Sequence, residues 1–170
     1  MTATASEIVA LAVLAAALLA AAVSDVRRYL IPNRYSIAIV LAYLVYATSH
    51  PLDQGLWGLA TGVTAFVLSA ALFAAGIFGG GDAKLFAATA LWAGPSLAAA
   101  FLVYTVFAGG VLALAWLTPF RRFMPAAPPM ATTSPESRPD RIRSRLRQPT
   151  PYGAAIAAGG LYVAALRAFN

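Results

Sequence analysis

The stretch Ile8-Val9-Ala10-Leu11-Ala12-Val13-Leu14-Ala15-Ala16-Ala17-Leu18-Leu19-Ala20-Ala21-Ala22-Val23 runs directly into Ser24 and Asp25. Alanine and leucine favour helix, and a helix of about 20 apolar residues crosses the hydrocarbon core of a bilayer. With its flanks, the run predicts a helix from Ser6 to Ser24. Ala20-Ala21-Ala22 resembles a small-residue cleavage site, but Met1-Glu7 carries no Lys or Arg and so lacks the basic start of a secretory leader. The run therefore reads as an uncleaved first membrane span.

Outward from this helix the pattern repeats. Apolar stretches predict further helices over Tyr35–Thr48, Leu56–Phe78, Ala83–Ala93, Leu97–Leu117 and Tyr152–Phe169. Pro32 pushes Ile31 out of helical conformation and marks a boundary, and Asn33 is placed to cap the second helix. Ser49–Gly55 and Gly94-Pro95-Ser96 read as turns. No internal repeat is evident. The chain is 61% apolar and 11% charged, far from a soluble domain. The expected fold is an all-α polytopic membrane protein with about six transmembrane helices. It forms a single membrane-embedded domain over residues 1–170, with a polar, Pro- and Arg-rich cytoplasmic loop at 118–151.

The charges predict orientation. Eleven of the twelve Lys and Arg residues fall in three segments: Arg27, Arg28 and Arg34; then Lys84; then Arg121 through Arg147. These segments follow the first, third and fifth helices, and the intervening loops hold Asp53 and no basic residue. The positive-inside rule then gives an N-out, C-out topology. Arg167 is the exception, near the outer end, where a long side chain can snorkel. Trp57 and Trp92 are expected at the outer interface and Trp116 at the inner one. The net charge of +6 is explained by this pattern and not by nucleic-acid binding, and the tract Arg141–Arg147 reads as a contact with anionic lipid.

Only six carboxylate side chains occur in 170 residues, and Asp25 and Asp82 stand at the ends of apolar segments. The topology puts both at the cytoplasmic interface. Carboxylates there are costly without a function or a partner. Asp82 can serve as a helix cap. Asp25 follows a helix C-terminus, where the dipole disfavours an anion, and Arg27 and Arg28 are its visible compensation. Two carboxyls a few ångströms apart do not both ionise easily, so such a pair shares a proton and can activate water. The three glycines Gly79-Gly80-Gly81 permit backbone angles closed to other residues and close approach of an extended chain. Gly58/Gly62 and Gly76/Gly80 have the spacing of helix-packing pairs. Lys84 reads as an interfacial anchor or an orienting group for Asp82. Ser24 with a lysine is a conceivable nucleophilic dyad, but it leaves both aspartates unexplained. His50, the only histidine, reads as an outer-loop residue. With no cysteine and one histidine, thiolate and multi-histidine metal sites are excluded.

Three motifs together resemble the type IV prepilin peptidase family of GxGD membrane aspartyl proteases. Gly79-Gly80-Gly81-Asp82-Ala83-Lys84-Leu85 is similar to that family's GxGD segment. Asp25, basic residues and then Ile31-Pro32-Asn33 resemble its first aspartate motif. Pro151-Tyr152-Gly153-Ala154-Ala155-Ile156 resembles the start of its final helix, with Ala154 where a proline usually stands. The resemblance covers nearly the whole chain outside Thr118–Thr150. It implies cleavage of the basic leader of prepilins or pilin-like proteins at the cytoplasmic face, with Asp25 and Asp82 as the catalytic pair and no metal or cofactor needed. Gly79, Gly81, Lys84, Pro32, Asn33, Tyr152 and Gly153 would support the site or bind substrate. Larger members carry a cysteine-bearing cytoplasmic segment and also methylate the new N-terminus. This chain resembles the small, peptidase-only type of Flp and tight-adherence pilus systems. The implied location is the bacterial inner membrane, and the implied partners are the prepilin and membrane lipid. A proton- or ion-coupled transporter using the same acids is the alternative, although transporter sites tend toward the midplane and accompany inverted repeats.

Overall fold

The computed structural model describes residues 4–117 and 151–169. The basic loop and its Arg141–Arg147 tract, and the Trp116 side chain, lie outside the described residues. Five helical elements follow in order: α1 (Ala5–Arg28), α2 (Asn33–Thr48), α3 (Leu52–Ala74), α4 (Gly80–Leu117) and α5 (Tyr152–Phe169). Among the described residues there is no strand. Helices α1, α3, α4 and α5 are each long and apolar enough to cross a membrane. At 16 residues, α2 is shorter than a full perpendicular span.

Local chemistry explains the boundaries. A capping box opens α1: Thr4 accepts from the Glu7 N–H, and the Glu7 carboxylate accepts from the Thr4 N–H. At the other end Arg27 and Arg28 occupy the last turn, where cations suit the dipole. Tyr29 closes it in left-handed geometry, φ 51°. α1 is thus longer than Ser6–Ser24, and Asp25 lies inside its final turn. Asn33 does not cap α2: Pro32 is the cap residue, and Asn33 is the first residue of the helix.

The third helix starts and stops about one turn earlier than its hydropathy implied. Pro51 fixes an extended φ ahead of it, and Asp53 sits favourably in the first turn. Its end is a Schellman motif: the Ile77 N–H bonds to the Leu72 carbonyl at 2.9 Å and the Gly76 N–H to Phe73 at 2.9 Å. Gly76 adopts φ 72°, which glycine takes without penalty. Gly76 therefore terminates a helix and does not form a packing pair with Gly80. Gly58 and Gly62 do pack: a Cβ on Gly58 would collide with the Tyr43 hydroxyl and lie 2.8 Å from the Leu91 carbonyl, and one on Gly62 would collide with Leu91.

α4 is broken at Gly94 (φ 57°, ψ −176°), followed by Pro95. Proline excludes a helical residue before it and removes a donor. The two arms, residues 80–93 and 95–117, fold back on each other. The Phe86 and Phe101 rings stack 5.0 Å apart, whereas a straight helix would separate those residues by about 22 Å. Counted this way, the described helical segments number six, while four helical elements have the length and hydropathy of a span.

Packing relies on small residues, as expected where lipid offers no hydrophobic drive between helices. Gly160 of α5 lies against Thr89 and Leu18, and Gly159 against Thr105 and Phe101. Leu14, Leu18, Ile39, Leu85, Ile156 and Val163 are buried in the resulting core. Trp92 is only 1% exposed and donates its indole N–H to the Ile39 carbonyl at 3.1 Å. It is a core residue and not part of an interfacial belt; Trp57 is on the surface. Large apolar side chains such as Val63, Val103 and Phe107 cover the outside. The bundle has two distinct polar ends. One holds Glu7 3.7 Å from His50, with Arg167 donating to the Trp92 carbonyl at 3.2 Å. His50 thus joins α1 to α2 and is not an idle loop residue. The other end holds both aspartates.

Replacing Gly58 by alanine forces Tyr43 away from the Gly55 carbonyl it donates to at 2.9 Å. Thermal unfolding in detergent should show a loss of about 1–3 kcal/mol. Unchanged stability would contradict this packing.

Candidate active site

Asp25 projects from the last turn of α1 and is 5% exposed. Its Oδ2 accepts the Gly153 N–H at 2.7 Å, and the next N–H of the helix, that of Ala154, lies close enough to favour the charged carboxylate. Gly153 and Ala154 are the second and third residues of α5. Asp25 therefore caps α5 from 128 positions away in the chain. The positive end of α5 offsets the unfavourable end of α1. This supplies the partner that the sequence did not reveal, and among the described residues no ion pair joins Asp25 to Arg27 or Arg28.

Asp82 is in the first turn of α4 and half-buried. It is not the cap residue itself. Its carboxylate lies back over Gly79, ahead of the helix. A Cβ on Gly79 would lie 2.7 Å from Asp82 Oδ2, so the glycine gives this carboxyl its room. The Asp82 carboxyl is within electrostatic reach of Asp25. The two acids thus lie at one end of the bundle.

Ile31 packs beside the helix starts that carry the site. A Cβ on Gly81 would stand 3.1 Å from Ile31 Cβ. A Cβ on Gly153 would collide with Ile31 Cδ1 and lie 2.8 Å from Asp25 Oδ2. The Tyr29–Pro32 connection thereby seats one buried side chain against the starts of both α4 and α5. The sequence places Ile31 in the Ile31-Pro32-Asn33 motif, but only Pro32 and Asn33 were expected to support the site.

The remaining residues divide. Gly79, Gly81 and Gly153 make the close approaches just described. Pro32 sets the start of α2 behind Ile31. Lys84 does not bond to Asp82: its Nζ donates to Asn33 Oδ1 at 3.1 Å. Two residues apart on a helix, Lys84 and Asp82 point about 200° from each other. Tyr152 turns away from the acids. Its ring meets Phe78 at 6.1 Å, and its hydroxyl lies where a Gly109 Cβ would be 2.9 Å away. Ser24 donates to the Leu30 carbonyl at 2.8 Å and Lys84 to Asn33, so no Ser24–Lys84 dyad is formed. An aromatic run flanks the site: Phe86, one turn beyond Asp82, meets Phe78 edge-on at 6.2 Å.

Fold and site define a multi-pass helical membrane protein with an acid pair at one end of its bundle. A model of the type IV leader peptidase family matches residues 12–114, a span that contains both aspartates. The chain belongs to that family. It is also similar to the prepilin leader peptidase/N-methyltransferase of Bacillus subtilis (strain 168), with 31% identity over 149 residues. That alignment covers 85% of this chain and 50% of the relative, so the chain spans about half the length of the curated protein it matches. No solved structure matches the chain.

Gly153→Ala should displace both the Asp25 carboxylate and Ile31 while leaving the bundle folded. The loss of the 2.7 Å bond should shift the Asp25 side-chain carbon resonance in NMR of the ¹³C-labelled protein, with circular dichroism unchanged. An unshifted Asp25 signal would refute the role of this contact.

Proposed function

We propose that the protein is a membrane-embedded aspartyl endopeptidase that removes the leader of prepilins or pilin-like proteins at the cytoplasmic face of the bacterial inner membrane. The observation that carries this reading is the approach of Asp25 and Asp82, buried and half-buried, at the same end of a helical bundle. Membership of the type IV leader peptidase family supports it. The proposed topology has six spans, with the two arms of α4 crossing separately and both termini outside. Arg27, Arg28, Arg34 and Lys84 flank the acids, so the positive-inside rule turns this end to the cytoplasm.

The chemistry follows from two carboxyls around one water. An ionised carboxylate takes a proton from the water as its oxygen attacks the scissile carbonyl. The protonated partner supports the developing oxyanion. Collapse breaks the C–N bond, and a proton passes to the leaving amine, which becomes the new pilin N-terminus. Water is consumed, and each carboxyl can regain its starting proton. Asp25 is fixed by the Gly153 N–H and Asp82 lies against Gly79, so both are oriented before substrate arrives.

Substrate geometry suits this site. A prepilin carries a basic leader followed by an apolar helix, which puts its scissile bond at the cytoplasmic interface. The exposed Gly79 and half-buried Gly80 and Gly81 offer a low wall beside Asp82 for an extended backbone. The acids stand at helix ends and not at mid-bundle, which disfavours a transport site. Methyl transfer, part of the Bacillus subtilis relative's name, is outside this proposal.

Asp25→Asn and Asp82→Asn should each lower processing by at least about 10²–10⁴-fold, with the protein still inserted in the membrane. Mass determination of the pilin N-terminus reads the outcome. Normal processing by either variant would sink the dyad.

A further inference from the structure

A groove of about 470 Å³ runs between α2, α3 and the first arm of α4. It opens sideways toward the bilayer, because Ile37, Leu41, Val63 and Phe66 on its rim are at least half exposed. On its floor are Lys84, Ala87, Ala88 and Leu91, one face of α4. Asp82 projects from the opposite face, about 200° around from Lys84. The helix itself therefore separates this groove from the acid pair.

The lining is polar only at the end level with the acids. Lys84 and Asn33 stand at the mouth there, joined to each other at 3.1 Å. An ammonium has three donors, and this bond uses one. The N-terminus of α2 has no side-chain cap, so its positive end adds to that of Lys84. Ser36 lies one turn deeper, about 4.5 Å along α2 from Asn33. Its side chain lines the groove, it is only 8% exposed, and its hydroxyl has no hydrogen-bond partner among the described residues. A buried unpaired hydroxyl is costly. Below Ser36 the walls are apolar.

We propose that this groove binds one diacyl phospholipid of the surrounding bilayer. Read inward from the interface, the groove offers a cation, then a hydroxyl donor, then hydrocarbon. A phospholipid offers a phosphate, then an ester carbonyl, then an acyl chain. Lys84 and the α2 N-terminus hold the phosphate, Ser36 donates to an ester carbonyl, and one acyl chain lies along Ile37, Leu41 and Val63. A transmembrane helix of a substrate fits less well. Its backbone acceptors are already satisfied within the helix, so it leaves Ser36 unpaired. The bound lipid bridges α2 and α4 beside Lys84–Asn33, and so braces the connection that carries Ile31.

The test uses the intact protein, purified in mild detergent and stripped of lipid. Phosphatidylglycerol with ester-linked chains, or its ether-linked analogue lacking the carbonyls, is added, and bound lipid is counted by native mass spectrometry. One lipid per chain is expected, with the ester form favoured about fivefold, the ratio supported by one net hydrogen bond. Ser36→Ala should abolish that discrimination. Lys84→Gln should weaken both forms by about tenfold, as loss of a charged hydrogen bond would. Val63→Trp, at a lipid-exposed rim position, should fill the groove and remove retention with helical content unchanged. No retained lipid in the unsubstituted protein, equal retention of ester and ether forms, or undiminished retention by Val63→Trp would each overturn the proposal. So would a photo-crosslinker at position 63 that captures a prepilin helix instead of lipid.

Discussion

The bond from the Gly153 N–H to Asp25 Oδ2, 2.7 Å long, ties the first helix to the last. A carboxylate at the C-terminal end of α1 is electrostatically misplaced on its own helix. The N-terminus of α5 corrects this by presenting two N–H groups. Gly153 must then be glycine, because a Cβ would meet both Asp25 and Ile31. Ile31 in turn lies against Gly81, next to Asp82. One hydrogen bond thus fixes the depth of α5, the path of the α1–α2 connection and the approach of α4.

The same arrangement gives each aspartate a structural task beside the chemical one proposed for it. Asp25 caps a helix in trans, and Asp82 reaches back to the residue before its own helix. These tasks are not rivals to catalysis. A group that must handle a proton at a defined point needs a fixed position, and backbone N–H groups supply it without mobile side chains. The burial of Asp25 limits water around its carboxylate. The lipid groove uses the other face of α4, so one short helical arm serves two unrelated environments. This is possible because Asp82 and Lys84 are two residues apart and point in nearly opposite directions.

Helix existence and order were legible in the sequence, since hydropathy and prolines dominate in this composition. The last helix was read as Tyr152–Phe169 and is Tyr152–Phe169, because Pro151 marks its start and the apolar run its extent. The third helix shifted because Gly76 stops it by backbone geometry, which hydropathy does not record. Trp92 was read as interfacial from its place near a turn, yet the fold-back at Gly94 buries it. At the site, Asp25 and Asp82 stood out by rarity. Their surroundings did not: the cap on α5 joins residues 128 apart, and the Lys84–Asn33 bond joins residues 51 apart. Such partners are set by helix rotation and depth, which a single sequence leaves open.

The central claim is that the two carboxyls form one coupled site. The most direct measurement is a titration of the full-length protein in detergent, following the aspartate side-chain carbons by NMR after ¹³C labelling. The Asp82 signal is recorded in the unsubstituted protein and in Asp25→Asn. The account holds that removing the Asp25 charge moves the Asp82 titration midpoint, and that Asp82→Asn moves that of Asp25. Two midpoints that ignore each other's substitution would show independent acids and contradict it.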